Sequence, residues 1–313
     1  MSTPTALELP AAVRRTTIRT ARGAFAALEA IPASGVCERE AALLVPGYTG
    51  SKEDFIAILD LLADGSRQVF AIDMRGQFET AGTRDPDGYA AAALGADILA
   101  IMHETGARHL VGHSYGGLIG REAALAEGGA GFASFTLMSS GPAALTGPRA
   151  RELRAMLAAL GLADEPGASP PPEPADLQAG IADIWRVHLE PQAVAAAVPA
   201  PIVAFLARRM LANDPSGLVL MARHMLAAPD RTAELAQLDL PILVIYGEDD
   251  NAWSPAAQEK MAQRLGARRL CIPAAVHSPA VEAPATTASA LTQFWDAAEA
   301  PPLPRPAAVT QTV

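Results

Sequence analysis

Cysteine is scarce: Cys37 and Cys271 are the two in 313 residues, and neither has a C-x-x-C neighbour. That excludes a disulfide framework and a thiolate zinc site. It leaves two free thiols of a reducing cytoplasm as the expectation, Cys37 in a loop and Cys271 in a buried strand. Histidines at metal-binding spacing are lacking as well, since His103-Glu104 has no second histidine to complete H-E-x-x-H. Lysine occurs only at Lys52 and Lys260, and 24 basic against 34 acidic residues give a formal charge of −10. So acidic a chain, with no local basic patch, has little with which to neutralise phosphates, and nucleic acid and anionic membranes are poor partners for it. No apolar run approaches the ~18 residues of a spanning helix. The pair Arg14-Arg15 resembles the start of an export signal, but the apolar stretch behind it is short and contains Glu29, so it reads as a strand. A nucleotide cofactor has no seat either: Gly50-Ser51-Lys52 lacks the G-x-x-x-x-G-K order, and no G-x-G-x-x-G opens a helix after a strand. No cofactor and no metal are expected.

What is present is apolar: half of the residues are hydrophobic and 19% charged, enough for a well-buried core. Arg14 to Thr20 alternates as a strand, Gly23 supplies a turn, and Ala24 to Ile31 returns as the hairpin partner. Ala41 to Val45 reads as a buried strand. After it come a helix over Asp54 to Ala63, a strand over Gln68 to Ile72, a helix over Tyr89 to Glu104 and a strand over His109 to Val111. A helix over Gly117 to Ala126 and a strand over Phe132 to Met138 continue the rhythm. Alternation of this kind predicts an α/β fold, a mostly parallel sheet covered on both faces.

From Pro142 to Leu238 the strands stop. Arg149 to Leu160, Ile181 to Leu189, Ile202 to Leu211 and Leu218 to Ala227 all read as helices, so residues 142–238 are expected to be an inserted helical cap on a core formed by 1–141 and 239–300. Within the insertion, Pro166 to Pro174 reads as an extended connector or a mobile lid loop. The sheet resumes at Pro241 to Tyr246, followed by a helix Ala256 to Leu265, a strand Arg269 to Ile272 and a helix Thr286 to Ala298; residues 301–313 are expected to be disordered.

Chemistry concentrates at the strand ends. Gly112-His113-Ser114-Tyr115-Gly116 fits G-x-S-x-G between a strand and a helix, where flanking glycines permit a sharp turn that exposes the serine hydroxyl. A serine at its ordinary pKa needs a base, and the base needs a third group to fix its tautomer. In a strand–turn–helix arrangement of this sort the partners follow in the order serine, acid, histidine. His103, His109 and His113 precede Ser114, and His188 and His224 fall in the inserted helices, which leaves His277. The acid is expected at the turn Gly247-Glu248-Asp249-Asp250, where residue chemistry alone leaves three carboxylates open. An oxyanion would need two backbone N–H donors: that of Tyr115, after the nucleophile, and that of Tyr48, in the glycine-bearing loop Pro46-Gly47-Tyr48-Thr49-Gly50-Ser51. Trp185, Phe205, Met210, Met221 and Met225 either line an apolar acyl pocket or are ordinary helix core.

Together these motifs resemble the α/β-hydrolase superfamily in its serine-nucleophile, helical-cap form, from about Arg14 to Ala298. The resemblance rests on GHSYGG around Ser114, Gly47-Tyr48, Asp73-Met74-Arg75-Gly76, Gly247 to Asp250, and His277 with Pro279, Glu282 and Pro284 behind it. It implies Asp250 as the acid, by the family's G-x-x-D spacing. It also implies a cofactor-free hydrolase of small-molecule carboxylic esters, with carbon–carbon bond hydrolase, lactonase or perhydrolase-like chemistry, or a non-catalytic binder, as the alternatives on the same fold. The chain departs from the family at Pro46, where a histidine is usual, and at Arg75-Gly76-Gln77-Phe78, where R-G-x-G is usual.

Overall fold

The computed structural model describes residues 2–162 and 174–300. An antiparallel hairpin, β1 (Val13–Thr20) and β2 (Gly23–Ala30), leads into β3 (Ala41–Val45), α1 (Ile56–Ala63), β4 (Val69–Ile72), α2 (Ala91–Thr105), β5 (Ala107–His113), α3 (Tyr115–Ala126) and β6 (Ser134–Met138). Among the described residues six α-helices follow without an intervening strand: α4 (Gly147–Ala159), α5 (Pro174–Ile184), α6 (Glu190–Ala195), joined to α5 by a π-helical turn (Trp185–Leu189), α7 (Ala200–Ala212), α8 (Pro215–Ala227) and α9 (Thr232–Leu235). The chain then returns through β7 (Ile242–Gly247), α10 (Pro255–Leu265), β8 (Arg268–Ile272), α11 (Pro279–Glu282) and α12 (Pro284–Glu299).

The strands make one sheet in the order β1-β2-β4-β3-β5-β6-β7-β8, with β2 antiparallel to β4 and every pair from β4 to β8 parallel. Adjacent side chains along each central strand fall on opposite faces, as the period of two requires. Leu43, Leu110 and Val244 join the cluster under α2 and α3, whereas Leu44, Val111 and Ile245 join Leu59, Leu62, Leu291 and Trp295 of α1 and α12. Burying both faces is why these strands read as continuous apolar runs. The chain leaves β3 to one side for β4 and crosses back to the other side for β5, so the strand order reverses between β3 and β5. In open α/β sheets ligands bind outside the carboxyl ends of the strands at such a point.

Three expectations shift. The segment read as a helix from Asp54 opens as a 3₁₀ turn, Lys52–Phe55, because Asp54 accepts the Ser51 N–H at 3.3 Å in a capping box. The helix expected from Tyr89 begins at Ala91, since Pro86–Tyr89 is a separate turn capped by Asp85. Cys271 does lie in a strand but is exposed, because β8 is the sheet edge and is only partly covered. Residues 166–173 of the proline-rich stretch and the tail 301–313 lie outside the described residues; Pro174 opens α5. Among the described residues no helix is long and apolar enough to cross a membrane.

Candidate active site

The turn between β5 and α3 holds Ser114 at φ 53°, ψ −116°, a conformation a non-glycine residue adopts at a cost of about 1–3 kcal/mol. Its neighbours make the turn possible. A Cβ on Gly112 would lie 2.4 Å from the Gly116 carbonyl oxygen, and one on Gly116 would lie 2.6 Å from the carbonyl oxygens of Val45 and Pro46. Both glycines are therefore sites of backbone-to-backbone approach, and the Ser114 N–H donates to Met138 O at 2.8 Å to fix the turn on β6. The side chain points at His277, whose Nε2 lies 3.0 Å from Ser114 Oγ.

His277 in turn presents Nδ1 at 2.9 Å to Asp250 Oδ1. Asp250 is buried and also accepts the Ala252 N–H at 2.9 Å and a Gln258 Nε2–H at 2.9 Å, so it is an acceptor on both oxygens. A carboxylate held this way takes the Nδ1–H of His277 and leaves Nε2 free to accept from the serine hydroxyl. Glu248 and Asp249, the other carboxylates of the turn, are exposed, and Glu248 accepts the Ala274 N–H at 3.2 Å instead. The loop carrying His277 is pinned on three sides. Glu282 accepts the N–H of Val276 and, at 3.1 Å, that of Ser278. A Cβ on Gly247 would lie 2.2 Å from Val276 O, and His113 Nε2 donates to the His277 carbonyl at 2.7 Å. Burial pushes the His113 imidazole down to about 3, with the nearby His277 adding to the effect, so it serves as a neutral donor.

Across the switch point, Gly47 packs so closely that a Cβ there would lie 3.1 Å from Ser114 Cβ. Gln77 Nε2 donates to Gly47 O at 2.9 Å, and the Gly50 N–H donates to the same oxygen at 3.1 Å. Because C=O and N–H are antiparallel across a trans peptide, pinning the Gly47 oxygen fixes the direction of the Tyr48 N–H. Among the described residues no protein group accepts the N–H of Tyr48 or of Tyr115. The same loop is tied to β4 through Lys52, whose Nζ lies 2.7 Å from Asp73 Oδ2 and whose N–H donates to Asp73 Oδ1 at 2.8 Å. Burial raises the Asp73 carboxyl to about 7 against the opposing pull of Lys52.

Of the residues expected from the sequence, Ser114, His277 and Asp250 come together in one hydrogen-bonded line, with Tyr48 and Tyr115 on the two segments that meet at Ser114. Trp185, Phe205, Met210, Met221 and Met225 are all buried in the apolar cluster on the α2 and α3 side. Phe205 meets Phe78 edge to face at 5.7 Å, which makes it a contact between α7 and the core. Sequence reasoning missed Gln258, His113 and Gln77, each a polar side chain that reads as ordinary until its partner is known. Only the departure from R-G-x-G at Gln77-Phe78 hinted at one of them.

The profile of the alpha/beta hydrolase family matches residues 42–290 of this chain. The chain belongs to that family. It is a hydrolase, and its relatives fit the assignment. A protein of Variovorax paradoxus (strain S110), to which carbamate hydrolysis is ascribed under the name RutD, is 30% identical over 274 residues, covering 86% of this chain and 97% of its own. A hydrolase from Pseudomonas aeruginosa PA01 has a TM-score of 0.66 at 24% identity, over 90% of this chain and 98% of that one. A thermophilic esterase from Thermogutta terrifontis has a TM-score of 0.64 at 22% identity, over 92% of this chain and all of its own. These two likenesses establish the shared fold.

Proposed function

We propose that this hydrolase cleaves small-molecule carboxylic esters through an acyl-enzyme on Ser114. The observation that carries the reading is the hydrogen-bonded line Ser114–His277–Asp250, with spacings of 3.0 and 2.9 Å at the switch point of the sheet. As Ser114 Oγ attacks the ester carbonyl, its proton passes to His277 Nε2, and Asp250 stabilises the imidazolium that forms. The N–H groups of Tyr48 and Tyr115 hold the tetrahedral oxyanion. Collapse expels the alcohol, which takes the proton from Nε2. Water then attacks the acyl-enzyme with His277 again as base, releasing the acid and restoring Ser114. In this reading residues 142–238 are a cap over the site, and Trp185, Phe205, Met221 and Met225 face an apolar acyl group. The RutD relative favours a second reading, carbamate hydrolysis, in which the same attack meets a carbamate carbonyl.

A fluorophosphonate probe should label the wild type and leave Ser114→Ala unlabelled. Turnover of p-nitrophenyl esters of increasing acyl length, set beside an N-substituted carbamate, then separates the two readings. Equal labelling of the two proteins overturns the assignment of Ser114.

A further inference from the structure

The two residues whose N–H groups are read as the oxyanion donors share a feature that the reaction does not by itself require. Each sends its hydroxyl to the same inserted helix, α8. Tyr48 Oη donates to the Leu218 carbonyl at 2.9 Å, and Tyr115 Oη lies 3.3 Å from His224 Nδ1, further along the same helix. Tyr115 is fully buried, and its ring meets the His224 ring edge to face with centroids 5.6 Å apart. Burial holds both phenols protonated by raising their pKa, and holds the His224 imidazole neutral by lowering its own. In these states the phenol donates to an unprotonated Nδ1 or accepts from Nδ1–H, according to the tautomer, and either bond ties Tyr115 to α8.

We infer that α8 positions the oxyanion hole through these two hydroxyls, making Tyr48, Tyr115 and His224 positioning residues that couple the inserted helices to the rate of the chemical step. The inference rests on the oxyanion role proposed above. Its physical basis is leverage. The Gly47–Tyr48 peptide is held at the Gly47 oxygen by Gln77 and the Gly50 N–H, and its far side by the Tyr48 hydroxyl on α8. Losing the hydroxyl leaves it held at one edge and able to tilt. Tyr115 opens α3 directly after the strained Ser114, where a small rotation swings its N–H away from the developing charge. Donors of this kind are worth most when they are preorganised, since nothing then has to reorient as the charge forms. Leu218 and His224 also flank Met221 on α8, so a group lodged against Met221 would be felt at both anchors.

The test uses Tyr48→Phe and Tyr115→Phe in the full chain, each of which keeps the ring and removes the hydroxyl. Removing a donor outright costs about 10²–10³-fold in kcat, so misaiming one should cost about 10-fold, with KM changed less than about twofold. A boronic acid that forms a tetrahedral adduct on Ser114 should lose affinity by the same factor. His224→Ala should reproduce the Tyr115→Phe loss and add nothing to it, while His224→Asn, which offers an acceptor near the Nδ1 position, should restore most of the rate. Wild-type kcat and boronate affinity in both tyrosine variants, or losses confined to KM, overturn the coupling while a silent Ser114→Ala leaves the ester-hydrolase reading standing. Turnover or boronate binding by Ser114→Ala overturns that reading, and the coupling falls with it.

Discussion

At the carboxyl ends of β5 and β7 backbone meets backbone, whereas the helices between β6 and β7 reach the rest of the molecule mostly through side chains, the Asp214 N–H on Gly76 O at 2.8 Å being a backbone exception. A Cβ on Gly112 would lie 2.4 Å from Gly116 O, and one on Gly247 2.2 Å from Val276 O. The inserted helices share the apolar cluster of α2 and α3 and are tied further by long polar contacts. Arg209 of α7 donates to Asp54 Oδ1 at 2.6 Å and to Ser2 O at 2.7 Å, and Asn213 accepts the Phe78 N–H at 3.2 Å. The first arrangement fixes the spacing of Ser114, His277 and Asp250 and has almost no freedom to adjust. The second attaches a body of helices by a shared apolar cluster and a few buried polar pairs, each costly to break, and Arg209 and Asn213 do not touch Ser114. Damage at the strand ends should therefore remove chemistry and damage to these α7 contacts stability, whereas the α8 contacts of Tyr48 and Tyr115 bridge the two.

The largest effect is expected at Asp250. Asn at this position offers the imidazole an amide that favours the wrong tautomer, and such a change costs about 10⁴-fold in kcat. Asp249→Asn and Glu248→Gln, on exposed neighbours, should stay within a few-fold of wild type. Thermal melts should show all three folded. Wild-type kcat for Asp250→Asn beside an inactive Asp249→Asn would shift the orienting carboxylate by one residue and break the contrast at its strongest point.

The same contrast explains what the sequence made legible. Close backbone approach demands glycine, so G-x-S-x-G and the Gly47 and Gly247 turns leave short local signatures, and the order of strands and helices locates them at strand ends. The choice of Asp250 over Glu248 and Asp249 was not in the residue chemistry. It came from the family's spacing, and the geometry now distinguishes the buried carboxylate that meets His277 from two solvated ones. Pairs such as Arg209 with Asp54, Gln77 with Gly47 and His113 with the His277 carbonyl were illegible, because each joins residues that only the folded topology brings together. The edge position of β8, and with it the exposure of Cys271, was hidden for the same reason: strand order is a tertiary fact.

Arg209 tests the side-chain half of the comparison. It is fully buried, and Arg209→Met keeps much of the volume while leaving Asp54 without its cation and Ser2 O without its donor. Breaking a buried pair from one side typically costs about 3–5 kcal/mol. Burial already raises the Asp54 carboxyl despite Arg209, so in the variant Asp54 should take up a proton and cap the cost. Urea unfolding should show the loss, and at a temperature where the variant is folded fluorophosphonate labelling of Ser114 should persist. A variant as stable as wild type would mean that the ion pair contributes nothing to holding α7.

The smallest effect concerns a side chain inside the backbone-built region. His113 ends β5, is buried, and donates to the carbonyl of His277, with its pKa lowered to about 3 chiefly by burial. In the unfolded chain the same imidazole titrates near about 6.5. Between those values the unfolded state binds a proton that the native state refuses, so stability falls as pH falls through this window, by at most about 1.4 kcal/mol per pH unit. At pH 5 the accumulated loss from this one group is about 2 kcal/mol. His113→Gln removes the titration while retaining an amide N–H near the position of Nε2, so the bond to the His277 carbonyl can persist. Other groups that titrate in this range, including His109, which burial lowers to about 4, are present in both proteins and cancel in the difference. Urea unfolding at pH 7.5 and pH 5 should thus show the wild type losing about 2 kcal/mol more than the variant between the two conditions. Identical losses would mean that His113 is protonated in the folded protein, and that the His277 loop rests on a charged donor.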